Sequence, residues 1–134
     1  MKIILDTNVF ISGLFFSGPP YQILKAWHAG QLKLILSEDI FEEYERVGKI
    51  FSEQFPAIDL QPILKLVRSK SLIYTVKSLP VSVSEDPDDD KFLACALSSK
   101  CKIIVSGDKH LLKLNGFHEI TIIKPREFVN AYLA

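Results

Sequence analysis

Acidic side chains are concentrated in one short stretch, "SEDPDDDKFLACAL", which runs from Ser84 to Leu97. Five of the six residues from Glu85 to Asp90 carry a carboxylate. One carboxylate is enough to cap the helix that the following apolar residues predict. Each further carboxylate repels its neighbours unless a cation or hydrogen bonds compensate the charge. The stretch therefore indicates a second role, as a set of oxygen ligands for a hard divalent cation such as Mg²⁺ or Mn²⁺.

Two further aspartates follow predicted strands. "KIIL" (Lys2 to Leu5) predicts a short buried strand that delivers Asp6 into a loop, and "KIIVSGD" (Lys102 to Asp108) predicts a strand that ends in Asp108. In a parallel α/β sheet the functional crevice lies beyond the carboxyl ends of the strands. The helix that the acidic stretch opens leads into the second of these strands and is expected to begin at the same edge. We therefore expect carboxylates that are distant in sequence to converge at one rim of the sheet.

Each aspartate also has an ordinary structural interpretation. Asp6, Thr7 and Asn8 all favour turns through local hydrogen bonds to the backbone. Asp108 could cap the short helix that follows it, and an aspartate of the acidic stretch could do the same for its own helix.

A pair of glutamates lies in a predicted helix that begins near Ser37, in "SEDIFEEYERVGKIF". A glutamate in a helix is usually solvated. Glu43, however, lies beside an apolar stripe and nearer to the core-facing side, while Glu42 precedes it by one position. The residues of this stripe are Ile40, Phe41, Tyr44 and Val47.

The rest of the chain alternates between strand-like and helix-like segments. Further strands are predicted at Leu32 to Ser37, Ser71 to Val76 and Glu119 to Pro125. Further helices are predicted from Pro19 and Pro20 to Gly30, Asp59 to Lys70, about Asp89 to Ser99, Lys109 to Leu114, and Pro125 to Ala134. This alternation predicts an α/β fold, a three-layer α/β/α sandwich with a mainly parallel central sheet of about five strands, in a single domain that spans 1–134.

Composition restricts the classes of protein that fit. With 16 basic and 16 acidic residues, the chain has no global positive charge, which counts against a simple nucleic-acid-binding module. The two cysteines, Cys95 and Cys101, and the absence of a leader segment favour a reducing cytoplasm over a secreted disulfide scaffold. The three histidines lack the spacing of a zinc site, and no apolar run is long enough to cross a bilayer.

Four segments together resemble the PIN-domain family of metal-dependent ribonucleases, especially the small prokaryotic PIN proteins that are toxin components of toxin-antitoxin pairs. The segments are "IILDTNVFISGL", "LSEDIFEEYERV", "EDPDDDKFLACAL" and "IVSGDKHLL". They occur in the order of the family, and the resemblance covers essentially the whole chain. It implies the PIN-like fold.

The resemblance also implies a site. The catalytic and metal-binding quartet falls on Asp6, Glu43, Asp89 and Asp108. Residues expected to orient ligands, water or phosphate, or to be alternatives within the acidic stretch, are Thr7, Asn8, Asp86, Asp90 and Ser106. Bound Mg²⁺ or Mn²⁺ would reverse the sign of the local field, allow an RNA phosphate to approach and make water a better nucleophile. The expected activity is divalent-metal-dependent endoribonuclease cleavage.

Two other interpretations remain open. A phosphoacceptor receiver-like domain is also a parallel α/β fold with an acidic Mg²⁺ pocket, and "IIKP" (Ile122 to Pro125) resembles the end of its last strand. Strand one, however, delivers only Asp6, and Lys77 follows the strand where a receiver needs its aspartate. A non-catalytic PIN-like module that binds RNA or protein is the second alternative, and retention of all four acids argues against it.

The expected partners also come from the resemblance. It implies an RNA substrate, a cognate antitoxin protein, and a homodimer or higher homo-oligomer, with no membrane. Lys91, Lys109 and His110 lie close to the predicted crevice in sequence and are candidates for contacts with substrate phosphates.

Overall fold

The computed structural model describes residues 1–76, 83–84 and 86–133. Most of the predicted connector after the third strand, Glu85 of the acidic stretch and the last residue of the chain lie outside the described residues.

The centre of the fold is a five-stranded parallel sheet in the order β3-β2-β1-β4-β5. Its strands are β1 (Lys2–Leu5), β2 (Lys33–Ser37), β3 (Leu72–Tyr74), β4 (Ile103–Val105) and β5 (Thr121–Ile123). The chain first extends the sheet on one side of β1 and then returns to place β4 on the other side. The sheet therefore reverses its strand order at β1 and β4, which is where open α/β sheets form their crevice. Leu5 lies opposite Val105 in the register, so both strands end at the same level.

Helices flank this sheet, which confirms the predicted α/β/α sandwich. They are α1 (Thr7–Phe15), α2 (Pro19–His28), α3 (Glu38–Gln54), α4 (Leu60–Lys70), α5 (Asp90–Ser99), α6 (Lys109–Leu112) and α7 (Pro125–Phe128), which continues as a π-helical turn over Val129–Leu133. The predicted caps are present where they matter for the site: the Ser37 hydroxyl accepts a hydrogen bond from the Ile40 N–H (3.2 Å) at the start of α3. None of the helices in the described part of the chain is long and apolar enough to cross a membrane.

The prediction that Asp6 enters a loop is wrong, because α1 begins at Thr7 directly after β1. The sequence of α1 does not predict a helix, because Val9, Phe10 and Ile11 are apolar and adjacent, and all three are buried. The segment therefore lacks the regular spacing of apolar and polar residues that marks an amphipathic helix. Contacts with α2 and α3 cover α1 on two sides. Burial in the tertiary structure stabilises this helix where local propensity does not.

Several strands and helices are shorter than predicted. β4 ends at Val105, although the Ser106 N–H still donates to the Ile123 carbonyl oxygen (3.0 Å), and residues 106–108 connect the strand to α6. β3 and β5 contain three residues each and form the two edges of the sheet, where each has a single partner.

Candidate functional site

Buried polar residues are concentrated beyond the carboxyl ends of the strands. In the described part of the chain these are Asp6, Thr7, Ser37, Ser84, Asp89 and Ser106. Ser37 has an ordinary role as the cap of α3. Four of the others are residues that the sequence predicted for the site. Because buried polar groups are normally satisfied by hydrogen bonds or ions, their partners define what this edge of the sheet does.

Asp6 is held at the end of β1 with its side chain free of any capping role. Its N–H donates to the Val105 carbonyl oxygen (3.0 Å), which extends the pairing of β1 and β4 by one residue. Although Asp6 occupies the N-cap position of α1, its side chain makes no capping hydrogen bond. Instead its Oδ2 accepts a hydrogen bond from the Ser106 hydroxyl (2.6 Å). The Thr7 backbone also donates a local hydrogen bond to this carboxylate, so the turn interpretation describes only part of its role.

Ser106 connects Asp6 with Asp108. Its hydroxyl oxygen accepts from the Asp108 N–H (2.9 Å) and donates its proton to Asp6. Asp108 itself caps α6, since its Oδ1 accepts from the His110 N–H (2.8 Å). The capping interpretation of Asp108 is thus right for one of its two oxygens.

A second set of carboxylates meets Asp108 from the acidic stretch. Oxygen atoms of Asp86, Asp89 and Asp108 all lie within 4.8 Å of one another, and we call these three residues the aspartate trio. A single 3₁₀ turn, Pro87–Asp89, brings the first two together: the Asp86 side chain accepts from the Asp88 N–H (3.1 Å) at its start. The sequence resemblance placed Asp86 among the less certain residues, whereas the geometry makes it part of the trio.

Asp89 is the buried member of the trio. It is only 6% exposed, and no described residue donates a hydrogen bond to its buried Oδ2. Burial raises the pKa of Asp89 to about 8, and the contact with Asp108 and the charges of Asp108, Asp6 and Asp86 act in the same direction. Carboxylates in contact need a shared proton or a cation. The donor set of this site, which consists of hard carboxylate oxygens, fits a divalent metal ion.

Asp6 lies within electrostatic range of the trio. Its pKa is raised, mainly by burial and also by the charges of Asp108 and Glu43, although the hydrogen bond from Ser106 lowers it. Asp6 therefore adds negative charge at the edge of the trio.

Glu43 reaches the same edge from α3, but its carboxylate already has partners. The Thr7 hydroxyl donates a hydrogen bond to its Oε2, and the Lys91 ammonium lies 3.0 Å from its Oε1. Arg46 lies one helical turn further along, 3.5 Å from the same Oε1. The Glu43 side chain is only 13% exposed, whereas Glu42 is exposed to solvent. The position of Glu43 beside the apolar stripe agrees with the sequence interpretation.

Two predicted residues lie apart from the acidic cluster. Asp90 directs its carboxylate to the backbone that precedes it, where it accepts from the N–H groups of Val83 (3.1 Å) and Ser84 (2.8 Å). It therefore anchors the segment before α5. Asn8 is exposed on α1. The structure gives neither residue a contact with the trio in the described part of the chain.

Sequence reasoning missed two supports of the site. Tyr44 was recognised only as part of the apolar stripe, but its buried hydroxyl donates to the Leu5 carbonyl oxygen (2.5 Å) and its ring stacks on Phe10 (4.1 Å between centroids). This contact fixes α3 against the end of β1. The ion pair of Arg46 with Glu43 was also missed, although a spacing of three residues in a helix could have indicated it.

Comparison with known proteins agrees with this geometry. A family model described as "PIN domain" matches residues 2–110, which include all the carboxylates of the site. The chain is also 31% identical, over 147 aligned positions, to the uncharacterized protein MJ1680 of Methanocaldococcus jannaschii, and the alignment covers 98% of this chain and 92% of that protein. The match extends over most of the sheet and includes the strand ends that hold the aspartates. The chain therefore belongs to the PIN-domain family, whose members are generally metal-dependent nucleases.

Proposed function

We propose that this PIN domain is a divalent-metal-dependent endoribonuclease that hydrolyses RNA phosphodiester bonds. The buried Oδ2 of Asp89 is the observation that supports this function best. It has no donor among the described residues, and a carboxylate oxygen of Asp89 lies within 4.8 Å of oxygens of Asp86 and Asp108. A carboxyl group buried beside another one needs a shared proton or a cation, and the trio supplies the hard oxygen ligands that a divalent cation prefers.

Each residue of the site has a distinct role in this proposal. The aspartate trio would hold Mg²⁺ or Mn²⁺, with Asp6 supplying further negative charge at its edge. Ser106 orients Asp6 through the 2.6 Å hydrogen bond, and Thr7 orients Glu43. When bound, the ion would supply the positive charge that lets an RNA phosphate approach and that favours ionisation of water.

The test is RNA cleavage by the Asp89→Asn variant. We expect Mn²⁺-dependent cleavage to fall by more than about 100-fold, which is beyond the loss usually caused by residues that only orient a metal ligand. Asp6→Asn should also abolish cleavage, because it removes charge from the same cluster. Circular dichroism and thermal unfolding would check that both variants keep the fold.

Asp88→Asn is the matched control. Asp88 is the neighbour of Asp89 in sequence, but its side chain is exposed. This variant should retain the activity of the original protein. If Asp89→Asn cleaves RNA as fast as Asp88→Asn does, the proposed mechanism is wrong.

The alternative functions make different predictions. Membership of the PIN family removes the basis for the receiver-like interpretation, and intact-mass measurement after exposure to a small phosphodonor should find no phosphoryl adduct. A non-catalytic module would bind RNA or protein, but the original protein would not cleave RNA with Mn²⁺ or Mg²⁺. The Asp89 oxygen without a hydrogen-bond donor favours the nuclease, because a module that only binds RNA or protein does not require a buried oxygen ligand for a metal ion.

We further propose that the protein acts in the cytoplasm as the toxin component of a toxin-antitoxin pair and forms a homodimer or higher oligomer. The resemblance to small PIN toxins supports this role. Phe16 and Ile50 are large apolar side chains that are about half exposed, which is compatible with self-association. Growth arrest on expression, relieved by co-expression of a neighbouring small gene, tests the role in a toxin-antitoxin pair. Light scattering tests the oligomer.

A further inference from the structure

The two halves of the acidic edge differ in how their charge is neutralised. Among the described residues, no lysine or arginine forms an ion pair with Asp6 or with any member of the trio. Glu43 has two such partners, Lys91 and Arg46. In the described part of the chain, ion pairs with lysine or arginine therefore form at this edge only on the Glu43 side.

Lys91 is fixed in this position by its surroundings. Its side chain is 21% exposed, which is low for a lysine, and its ammonium lies 3.0 Å from Oε1 of Glu43. Because the Thr7 hydroxyl donates to Oε2, both oxygens of Glu43 have a donor. Glu43 thus has the partners that Asp89 lacks.

The position of Lys91 in its helix is electrostatically unfavourable without a carboxylate partner. Lys91 is the second residue of α5, where the helix dipole disfavours a cation. The neighbouring carboxylates offset this effect. An ordinary surface ion pair joins flexible, solvated side chains. Lys91 differs, because most of its side chain is buried at the acidic edge.

A pocket lined by charged side chains lies beside Lys91. A pocket of about 310 Å³ opens onto the Glu43–Lys91 pair and is lined by three acidic and two basic residues. Nucleases with two metal ions use the second ion to place positive charge beside the first. Here Lys91 and Arg46 already place two positive charges at Oε1 of Glu43. Both would repel a divalent ion added at the same carboxylate.

We infer that the Lys91 ammonium takes the place of a second divalent cation, so that the acidic edge holds one ion, at the aspartate trio. In this arrangement Glu43 is not a direct metal ligand, and Lys91 is a positioning residue that neutralises Glu43 and keeps it in place. The inference rests on the proposed function, because it assumes that the trio binds a divalent ion.

The test is the number of Mn²⁺ ions bound per chain, measured by electron paramagnetic resonance during titration of the metal-free protein. We expect one ion for the original protein and two for Lys91→Met, because the shorter, uncharged side chain leaves Glu43 with only the more distant and more exposed Arg46 as a cationic partner. Lys109→Met is the matched control, since Lys109 is exposed at the start of α6 and does not pair with Glu43. It should bind one ion.

A second pair of variants tests the same inference without changing Lys91. Glu43→Gln should still bind one Mn²⁺, with the dissociation constant changed by less than about tenfold, a small effect for a group that is not a ligand. Asp89→Asn should lose the ion. If Lys91→Met does not fold, as judged by circular dichroism, the Glu43→Gln result decides.

The outcomes separate this inference from the proposed function. Two ions in the original protein, one ion in a folded Lys91→Met, or loss of the ion in Glu43→Gln would each overturn the role of Lys91. Any of these results together with Mn²⁺-dependent RNA cleavage would leave the proposed nuclease intact. No Mn²⁺ bound to the folded original protein would overturn both.

Discussion

Asp88, Asp89 and Asp90 are adjacent in sequence and carry the same side chain, but the fold gives each a different environment. Asp88 is exposed, and Asp90 is hydrogen-bonded to the backbone of Val83 and Ser84. Asp89 is buried beside Asp108 and has an oxygen without a donor among the described residues. The chemical role of each carboxylate therefore depends on the donors and charges around it, and the residue type alone does not reveal it.

The pH dependence of stability tests the environment of Asp89. Burial, together with contact with Asp108 and the surrounding aspartate charges, raises the pKa of Asp89 from 3.8 to about 8. Because this pKa is higher in the folded than in the unfolded state, the folded protein binds the proton more tightly. The contribution of Asp89 to the stability of the metal-free protein is therefore greatest below the unfolded-state pKa and decreases as the pH rises towards 8.

We expect Asp89→Asn to become more stable relative to the original protein as the pH rises from 5 to 8, because asparagine carries no charge to desolvate. The relative gain should be about 1–2 kcal/mol, which is less than the full pKa shift implies. Water screens the charge, and the neighbouring carboxyl groups share the proton. Urea unfolding with a chelator at each pH measures it. Asp88→Asn should show no such trend, and a pH-independent difference for Asp89→Asn would contradict the buried environment.

At the scale of elements, α1 and its packing against α2 determine where Asp6 and Thr7 lie. α1 approaches α2 closely at Gly13, where an added Cβ would lie 2.8 Å from the Pro20 carbonyl oxygen and 2.5 Å from Leu24 Cδ1. At Gly48 of α3, the nearest atom to an added Cβ is the end of the Leu60 side chain, at 2.9 Å. Backbone cannot move aside as readily as the tip of a leucine.

We expect Gly13→Ala to destabilise the protein by about 1–3 kcal/mol, because steric overlap outweighs the gain of about 1 kcal/mol in helix propensity. Gly48→Ala should cost less or be neutral. Chemical denaturation of both variants measures the difference. If Gly13→Ala were as stable as the original protein, α1 and α2 could move apart without loss of stability. Their contact would then not determine where α1 begins.

The elements also show how far prediction from sequence extended. The alternation of strands and helices predicted the sandwich, and Ser37 correctly indicated the start of α3. The helix after β1 was missed, because five of its nine residues are buried and only Asn8 is exposed, so it shows little of the polar face that marks a surface helix. The apolar stripe of the helix allowed Glu43 to be distinguished from Glu42. The pairing of Glu43 with Lys91 could not be predicted, because the two residues are 48 positions apart and no local sequence pattern links them.

At the scale of the whole molecule, the balance of 16 basic and 16 acidic residues limits how RNA can be bound. The acidic edge repels phosphate. Among the described residues, Arg46 and Lys91 pair with Glu43, and Lys109 directly follows Asp108 in sequence. Affinity for RNA should therefore depend on the divalent ion more than on a broad basic surface.

We expect kcat/KM for RNA, measured at saturating Mn²⁺, to depend only weakly on monovalent salt. About 0.7 counterions are released for each phosphate of single-stranded RNA that a basic side chain contacts. With three such side chains, the slope of log kcat/KM against log salt should be no steeper than about −2. A series of KCl concentrations measures this slope. A much steeper slope would show that an extended basic surface binds the substrate, and Lys109→Met should make the original slope shallower.

The sequence by itself determined the α/β class, the parallel sheet and the expectation that distant carboxylates meet at its edge, because hydrophobic periodicity and the geometry of parallel sheets are local and general. Only the tertiary structure decided which carboxylates meet. It joined Asp86 and Asp89 with Asp108, assigned Asp90 to the backbone and gave Glu43 a lysine partner. These outcomes depend on hydrogen-bond donors and charged groups that other helices and strands contribute. The sequence around a carboxylate does not show which of these groups will contact it in the folded protein.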